Sequence, residues 1–385
     1  MSARAQAKQR DSSIRHRCFL RCRIGMLALA GVLGFGSPAG AQETPLSEAL
    51  PDGAPVISLD AGPLGPIRYF PGRGIQLGDT GLTVGGFTTV EIDDPAHEEA
   101  IIELDSISFL LLYEPIVSLR FFAELEVGGL FFYRPESNDV DHEPHVVAER
   151  LYGEWGWNDA LNLRVGKFQT PVGRWNLVPA EPFVWTALDP VQLDRAFDEH
   201  QTGAALFGTF YPGGNELRYW LYGQFVDPFD VDDEDVPAAR AAGGRIEYGG
   251  ALGEWSVGAS LLASKRKGEW NYLASLDGVL RLGPLELQSE AVFAEGGIPD
   301  RDLWSVYFQG VYHLGSLTRF LDQLYFVARF EHFDPDGKPE DANLWDLGFA
   351  WTPKPYLAFK LGYRLSDRVT DDVSEGLAAS ISVLF

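Results

Sequence analysis

One long connection and the residue leading into it concentrate opposite charges, with Lys167, Arg174 and Arg195 set against Glu181, Asp189, Asp194 and Asp198. Fixed cations facing fixed carboxylates across a narrow aqueous path would create a transverse field that orients polar solutes, and charge rings set ion preference in pores. The same connection, Gln169 to Gln201, is rich in apolar side chains: Trp175, Leu177, Phe183, Val184, Trp185, Leu188 and Phe197. Such side chains need a surface to pack on, and a loop this long in a compact protein is usually functional. The pattern predicts a constriction made by a loop folded back into a surrounding wall. The competing reading is that these charges pair only to hold the loop.

Hydrolytic chemistry finds little support. A nucleophile needs a base and an orienting group within hydrogen-bond reach, and beyond residue 41 the histidines are His97, His142, His145, His200, His313 and His332, with no Ser-rich motif beside them. His142 and His145 adjoin Asp139, Asp141 and Glu143, a pattern that suits a solvated acidic loop better than a metal site. No phosphate-cradling glycine motif stands between a strand and a helix. The reading therefore assigns no enzyme activity, no cofactor and no metal.

The elements that must position the charged loop are strands. From Thr80 onward, segments of about ten residues with two-residue alternation follow one another, the span a tilted strand needs to cross a bilayer. Sixteen are expected, at 80–91, 100–113, 116–127, 146–157, 160–168, 202–211, 215–226, 240–249, 253–264, 270–282, 285–295, 302–314, 322–333, 343–352, 356–366 and 375–385. Short turns such as Glu114-Pro115, Asn158-Asp159 and Gly283-Pro284 alternate with longer acidic connections such as 128–145, 169–201 and 227–239. Short turns on one rim and long loops on the other is the pattern of an outer-membrane barrel, with the turns periplasmic. An even strand count leaves both termini on that side.

The last strand alternates Leu377, Ala379, Ile381, Val383 and Phe385 with Ala378, Ser380, Ser382 and Leu384. An open apolar edge invites pairing with other chains, so this ending points to a closed barrel in which the final strand meets the first. Parity in 116–127 sets Val117, Leu119, Phe121, Ala123 and Leu125 outward and Ser118, Arg120, Glu124 and Glu126 inward. Charge on a lipid face costs about 2–4 kcal/mol at the midplane for Arg or Lys, which fixes the choice. The inward positions are Arg120, Glu124, Arg164, Arg218, Arg329, Lys360 and Arg364. Tyr113, Trp157, Tyr211, Tyr248, Tyr312, Trp351 and Tyr356 fall beside short turns, where an interfacial aromatic girdle belongs.

Export explains the rest of the composition. A basic stretch (Arg4 to Arg23), an apolar run from Ile24 to Phe35 and a small-residue exit before Gln42 predict a signal peptide over 1–41. Residues 42–77, with Pro51, Pro55, Pro63, Pro66 and Pro71, are expected to be a periplasmic leader or linker with little regular structure, followed by a barrel over 78–385. Both cysteines, Cys18 and Cys22, lie in the removed segment, so no disulfide framework or thiolate site is expected beyond it. Removal of 1–41 leaves 24 basic against 54 acidic residues, a net charge near −30, which argues against nucleic acid or anionic lipid as partner.

Residues Glu149-Arg150-Leu151-Tyr152-Gly153-Glu154-Trp155 and Leu163-Arg164-Val165-Gly166-Lys167-Phe168-Gln169-Thr170-Pro171-Val172-Gly173 resemble the fourth and fifth strands of the phosphate-selective porin O and P family. The Gly-Lys-Phe-x-x-Pro-x-Gly element is the specific part of the resemblance. It implies an all-β, transmembrane antiparallel barrel of about 16 strands, with a long third loop folded into the lumen of a water-filled pore and a homotrimeric assembly. Small ions or polar solutes would be the cargo. Outer-membrane lipid and lipopolysaccharide are the expected surroundings, and Phe385 is the expected assembly signal for the barrel insertion machinery. The family's phosphate channels carry ladders of inward Arg and Lys; here no such run can be assembled, which sets phosphate selectivity apart from the fold. A non-conducting structural or adhesive barrel is the rival.

Overall fold

The computed structural model describes residues 57–60, 62–96, 98–177, 181–191, 196–226, 238–296, 302–335, 341–369 and 374–385. Three short strands come first: β1 (Ile57–Asp60), β2 (Pro66–Phe70) and β3 (Gly74–Leu77). The first half of the wall is β4 (Leu82–Pro95), β5 (Ile101–Ile116), β6 (Leu119–Arg134), β8 (His145–Asn158), β9 (Leu161–Gln169), β10 (His200–Phe210), β11 (Asn215–Gln224) and β12 (Arg240–Gly250). A three-residue strand, β7 (Asp139–Asp141), pairs with the far end of β6. The second half is β13 (Trp255–Arg266), β14 (Glu269–Leu282), β15 (Leu285–Glu295), β16 (Leu303–His313), β17 (Leu324–Pro335), β18 (Ala342–Lys354), β19 (Leu357–Ser366) and β20 (Gly376–Leu384).

Every neighbour pair is antiparallel, and β20 returns to β4 in register from Gly376 opposite Pro95 to Leu384 opposite Phe87. Phe385 completes the closure: its N–H donates to the Gly86 carbonyl at 2.8 Å and its carbonyl accepts from the Gly86 N–H at 2.9 Å. Its ring stacks edge-on against Phe109 and covers Gly86, where a Cβ would lie 2.6 Å from the ring. The result is a closed antiparallel barrel of 16 strands. Each expected segment falls on one of these strands, the largest difference being 116–127, which runs on to Arg134 because its outer end forms a hairpin with β7.

Alternation sorts the side chains. Arg245 of β12 stands opposite Ser260 of β13, and Ser260 opposite Ser275 of β14; each is 1% exposed, while their sequence neighbours Leu261 and Leu276 are 67% and 62% exposed. Closure of the sheet puts one set inside and the other outside, and the apolar set forms the lipid face of a membrane barrel. Tyr113, Trp157, Tyr211, Tyr248 and Trp351 are exposed beside the short turns. No helix among the described residues is long and apolar enough to cross a membrane, and a barrel does not require one.

The 42–77 leader needs correction where it is described. Its alternating apolar residues are separated by Gly- and Pro-rich turns, and β1, β2 and β3 form an antiparallel meander that joins the barrel through β3 and β4. The expected signal peptide lies outside the described residues, as do the acidic stretch 227–237 and His97.

Candidate functional site

The connection between β9 and β10 is tied to the inner, polar face of the wall at widely spaced strands. Gly173 N–H donates to Ser260 Oγ of β13 at 3.2 Å. The N–H groups of Arg174 and Trp175 both donate to Glu290 Oε2 of β15, at 3.0 and 3.1 Å. Val191 N–H donates to Glu331 Oε2 of β17 at 3.1 Å. Arg329 of β17 donates to the Leu188 carbonyl at 2.6 Å, and Arg364 of β19 to the Asp189 carbonyl at 2.7 Å. Asp198 accepts from Arg266 of β13 at 2.7 Å and from the Ala238 N–H at 2.9 Å.

Apolar side chains make the second set of contacts. Val172, Trp175, Ala196 and Phe197 pack with Phe168, Leu262, Leu273, Val292, Leu303 and Tyr307. Phe183 packs with Phe87, Leu110 and Leu384, across the β20–β4 seam. Trp185 packs with Val311, Tyr325, Val327 and Ala350, its ring 4.6 Å from that of Tyr325. The first turn of the segment depends on Gly173, whose φ of +63° is left-handed and whose absent Cβ would fall 1.7 Å from Glu290 Oε1. Glycine adopts this conformation without steric cost.

Buried charges on the inner wall are grouped in networks, as they must be, since an isolated ion out of water is very costly. Asp346 of β18 bridges Arg329 of β17 and Arg364 of β19, with Arg329 Nε at 3.0 Å and Arg364 Nε at 2.7 Å. Arg245 binds Asp277 of β14 through both terminal nitrogens and Glu247 at 3.0 Å. On the opposite wall Arg150 pairs with Glu124, and Glu154 receives Arg164 at 2.8 Å and Arg120 at 3.6 Å. Arg164 also lies over the Tyr152 and Phe207 rings, at 4.3 and 5.3 Å from their centroids, and Arg150 over Phe122 at 4.8 Å. A cation over an aromatic face gains about 0.5–2 kcal/mol, more as water is removed.

Of the residues expected to form a constriction, Arg174 is half-buried at the first turn and lies within electrostatic reach of Glu247. Asp189 is half-buried beside Arg364, and Asp198 is engaged by Arg266. Lys167 is buried on β9, opposite Leu151 of β8 and Thr202 of β10. Asp194, Arg195 and the Glu181 side chain lie outside the described residues.

Arg120, Glu124, Arg164, Arg218, Arg329, Lys360 and Arg364 all occupy the polar face. Arg218 binds Glu216 and Glu247, Arg120 also binds Glu114, and Lys360 stands buried opposite Ser380. Arg245, Asp277, Glu290 and Asp346 join them as buried inner-face groups that the sequence reading does not single out. Their parity within each strand would have placed them inward; their partners, on other strands, follow from register alone.

No family model matches the chain, and no curated protein matches it. Solved structures do. The chain is similar to the outer membrane channel DcaP of Acinetobacter baumannii, at a TM-score of 0.55 and 12% identity over 79% of this chain and 97% of that one. It is similar to OmpT of Vibrio cholerae in its trimer form, at 0.50 and 12% over 79% and 99%. A Salmonella typhi OmpF in complex with daunomycin matches at 0.50 and 10% over 79% and 97%. At these identities the likeness is one of architecture, and what this chain has in common with all three is the fold of an outer-membrane porin.

Proposed function

We propose that this protein is an outer-membrane channel for passive diffusion of small ions and polar solutes, with a lumen narrowed by the 170–199 segment. The observation that carries the reading is the attachment of that segment to inner-face groups on β13, β15, β17 and β19, which lie far apart around the wall. A polar, charge-lined interior behind an apolar exterior is what a water-filled barrel needs. Arg174, within electrostatic reach of Glu247, supplies opposed charges for a transverse field, with Lys167, Glu181, Asp189, Asp194, Arg195 and Asp198 as the remaining members of the charge set.

The interior favours neutral or zwitterionic polar solutes over phosphate. Arg150, Arg164, Arg245, Arg329 and Arg364 are each committed to a carboxylate, so the inward cations do not form a ladder of open anion sites. The Gly166–Gly173 element supports a relationship to the porin O and P family, with its anion ladder replaced by ion pairs. A homotrimer fits the trimeric OmpT neighbour. In this reading both termini are periplasmic, lipid and lipopolysaccharide surround the barrel, and Phe385 at the seam engages the insertion machinery.

A non-conducting barrel is the second reading, favoured by the packing of Phe168, Val172, Trp175 and Phe183, all nearly inaccessible inside the wall. Liposome swelling separates the two. Vesicles carrying the purified full-length protein should swell in isotonic small sugars and amino acids, at rates falling with solute size. Swelling no faster than in protein-free vesicles would favour the closed barrel.

A further inference from the structure

The β1–β3 meander is amphipathic in phase with the barrel wall. Ile57 stands opposite Tyr69, Tyr69 opposite Ile75 and Ile75 opposite Val84 of β4; Leu59, Ile67 and Leu77 form a second row on the same face. The other face carries Ser58, Arg68 and Gln76, in line with Thr83. Val84 in turn stands opposite Leu111, an exposed member of the outer apolar face. Ile57, Leu59 and Ile75 are 51%, 61% and 42% exposed.

β3 and β20 share one edge of β4. β20 occupies it from Phe87 to Pro95, and β3 takes over at Thr83 and Val84. The meander thus extends the barrel's outer surface sideways beneath the final strand, at the level of Leu82 and the girdle residue Tyr113 opposite it. A soluble leader would have no cause to match its apolar face to the lipid-facing one, because a one-residue shift in pairing would turn that face inward.

We propose that β1–β3 is a membrane-seated element whose apolar face lies against phospholipid acyl chains at the periplasmic edge of the bilayer. The occupant follows from continuity: the row through Ile57, Tyr69, Ile75 and Val84 runs directly into the surface that faces lipid. The inference rests on the membrane reading of the barrel. It turns a stretch composed like a linker into part of the membrane contact and into a cover for the seam closed by Phe385.

Single cysteines test it in the full-length chain with Cys18 and Cys22 replaced by serine. Leu59→Cys on the apolar face, Ser58→Cys on the polar face and Leu261→Cys on the barrel belt are each labelled with an environment-sensitive fluorophore. The labelled proteins are reconstituted in phosphatidylethanolamine and phosphatidylglycerol vesicles with bromine on the acyl chains. The probe at 59 should lose emission to the same extent as that at 261, with the probe at 58 spared. Quenching at 261 without quenching at 59 overturns the proposal and leaves the membrane barrel standing; no quenching at 261 removes the membrane reading and the proposal together. Efficient disulfide coupling between two Leu59→Cys chains without lipid quenching also overturns it, in favour of a second copy as occupant. Wild-type protein provides a check free of folding effects: a lipid with a photoactivatable acyl chain should form adducts that map to 57–77, and adducts confined to the barrel strands would count against the meander.

Discussion

Trp175 and Glu290 lie 115 residues apart in sequence and are joined by one hydrogen bond, the Trp175 N–H donating to Glu290 Oε2 at 3.1 Å. The same oxygen accepts from the Arg174 N–H, so one fully buried carboxylate fixes the first turn of the segment that crosses the inner wall. Removing the acceptor strands two N–H groups, each costing about 1–3 kcal/mol when buried. Glu290→Ala should therefore lower the midpoint of heat-induced unfolding on gels more than Glu290→Gln, which keeps an acceptor oxygen. Equal midpoints would show that this anchor is dispensable.

Gly173→Ala tests the same turn from the loop side. A methyl group 1.7 Å from Glu290 Oε1 cannot be accommodated without moving the carboxylate or the turn, and the left-handed backbone adds strain of about 1–2 kcal/mol. The expected outcome is a changed single-channel conductance with the barrel still assembled. Wild-type conductance would mean that the turn does not border the permeation path.

Asp346 is the shared partner of Arg329 and Arg364. Its replacement by Ala takes the shared carboxylate from two buried guanidinium groups, and breaking a buried pair in this way costs about 3–5 kcal/mol. Urea unfolding in lipid vesicles should register that loss. The triple variant with Met at 329, 346 and 364 should recover much of it, because well-packed apolar groups often replace buried ion networks without cost.

Outside the strands, Asp367 accepts hydrogen bonds from the Asn343 N–H at 2.8 Å and its side-chain amide at 2.6 Å, and these donors hold its carboxyl below the ordinary range. A depressed folded-state value means that the stabilisation is complete above the ordinary carboxylate pKa and is lost as pH falls through the lowered one. Hydrogen exchange at the Asn343 amide, corrected for intrinsic rate, should stay protected at pH 5 and open only in stronger acid. Asp367→Asn should remove that acid step; an unchanged pH profile would show that the carboxylate does not control it.

Deletion of Phe385 removes both hydrogen bonds to Gly86 and the ring contact with Phe109. Assembly into the outer membrane, measured as heat-modifiable protein in the membrane fraction, should fall. Undiminished insertion would free the seam from dependence on this residue.

The barrel was legible because alternation is local. Ser256, Ser260 and Ser264 alternating with Val257 and Leu261 declare a strand and its two faces without any knowledge of neighbours. Networks are not local: Arg245 meets Asp277 and Glu290 meets Trp175 only once register is set. The meander escaped notice because its strands are four or five residues long, too short for alternation to stand out among Gly and Pro.

Single-channel recording in planar bilayers tests the central claim most directly, using the wild-type chain and one in which residues 174–197 are replaced by a short Gly-Ser linker. The account predicts stepwise conductance from the wild type and larger steps from the shortened chain. A folded, inserted wild-type barrel that stays silent, or two chains with the same step size, would contradict it.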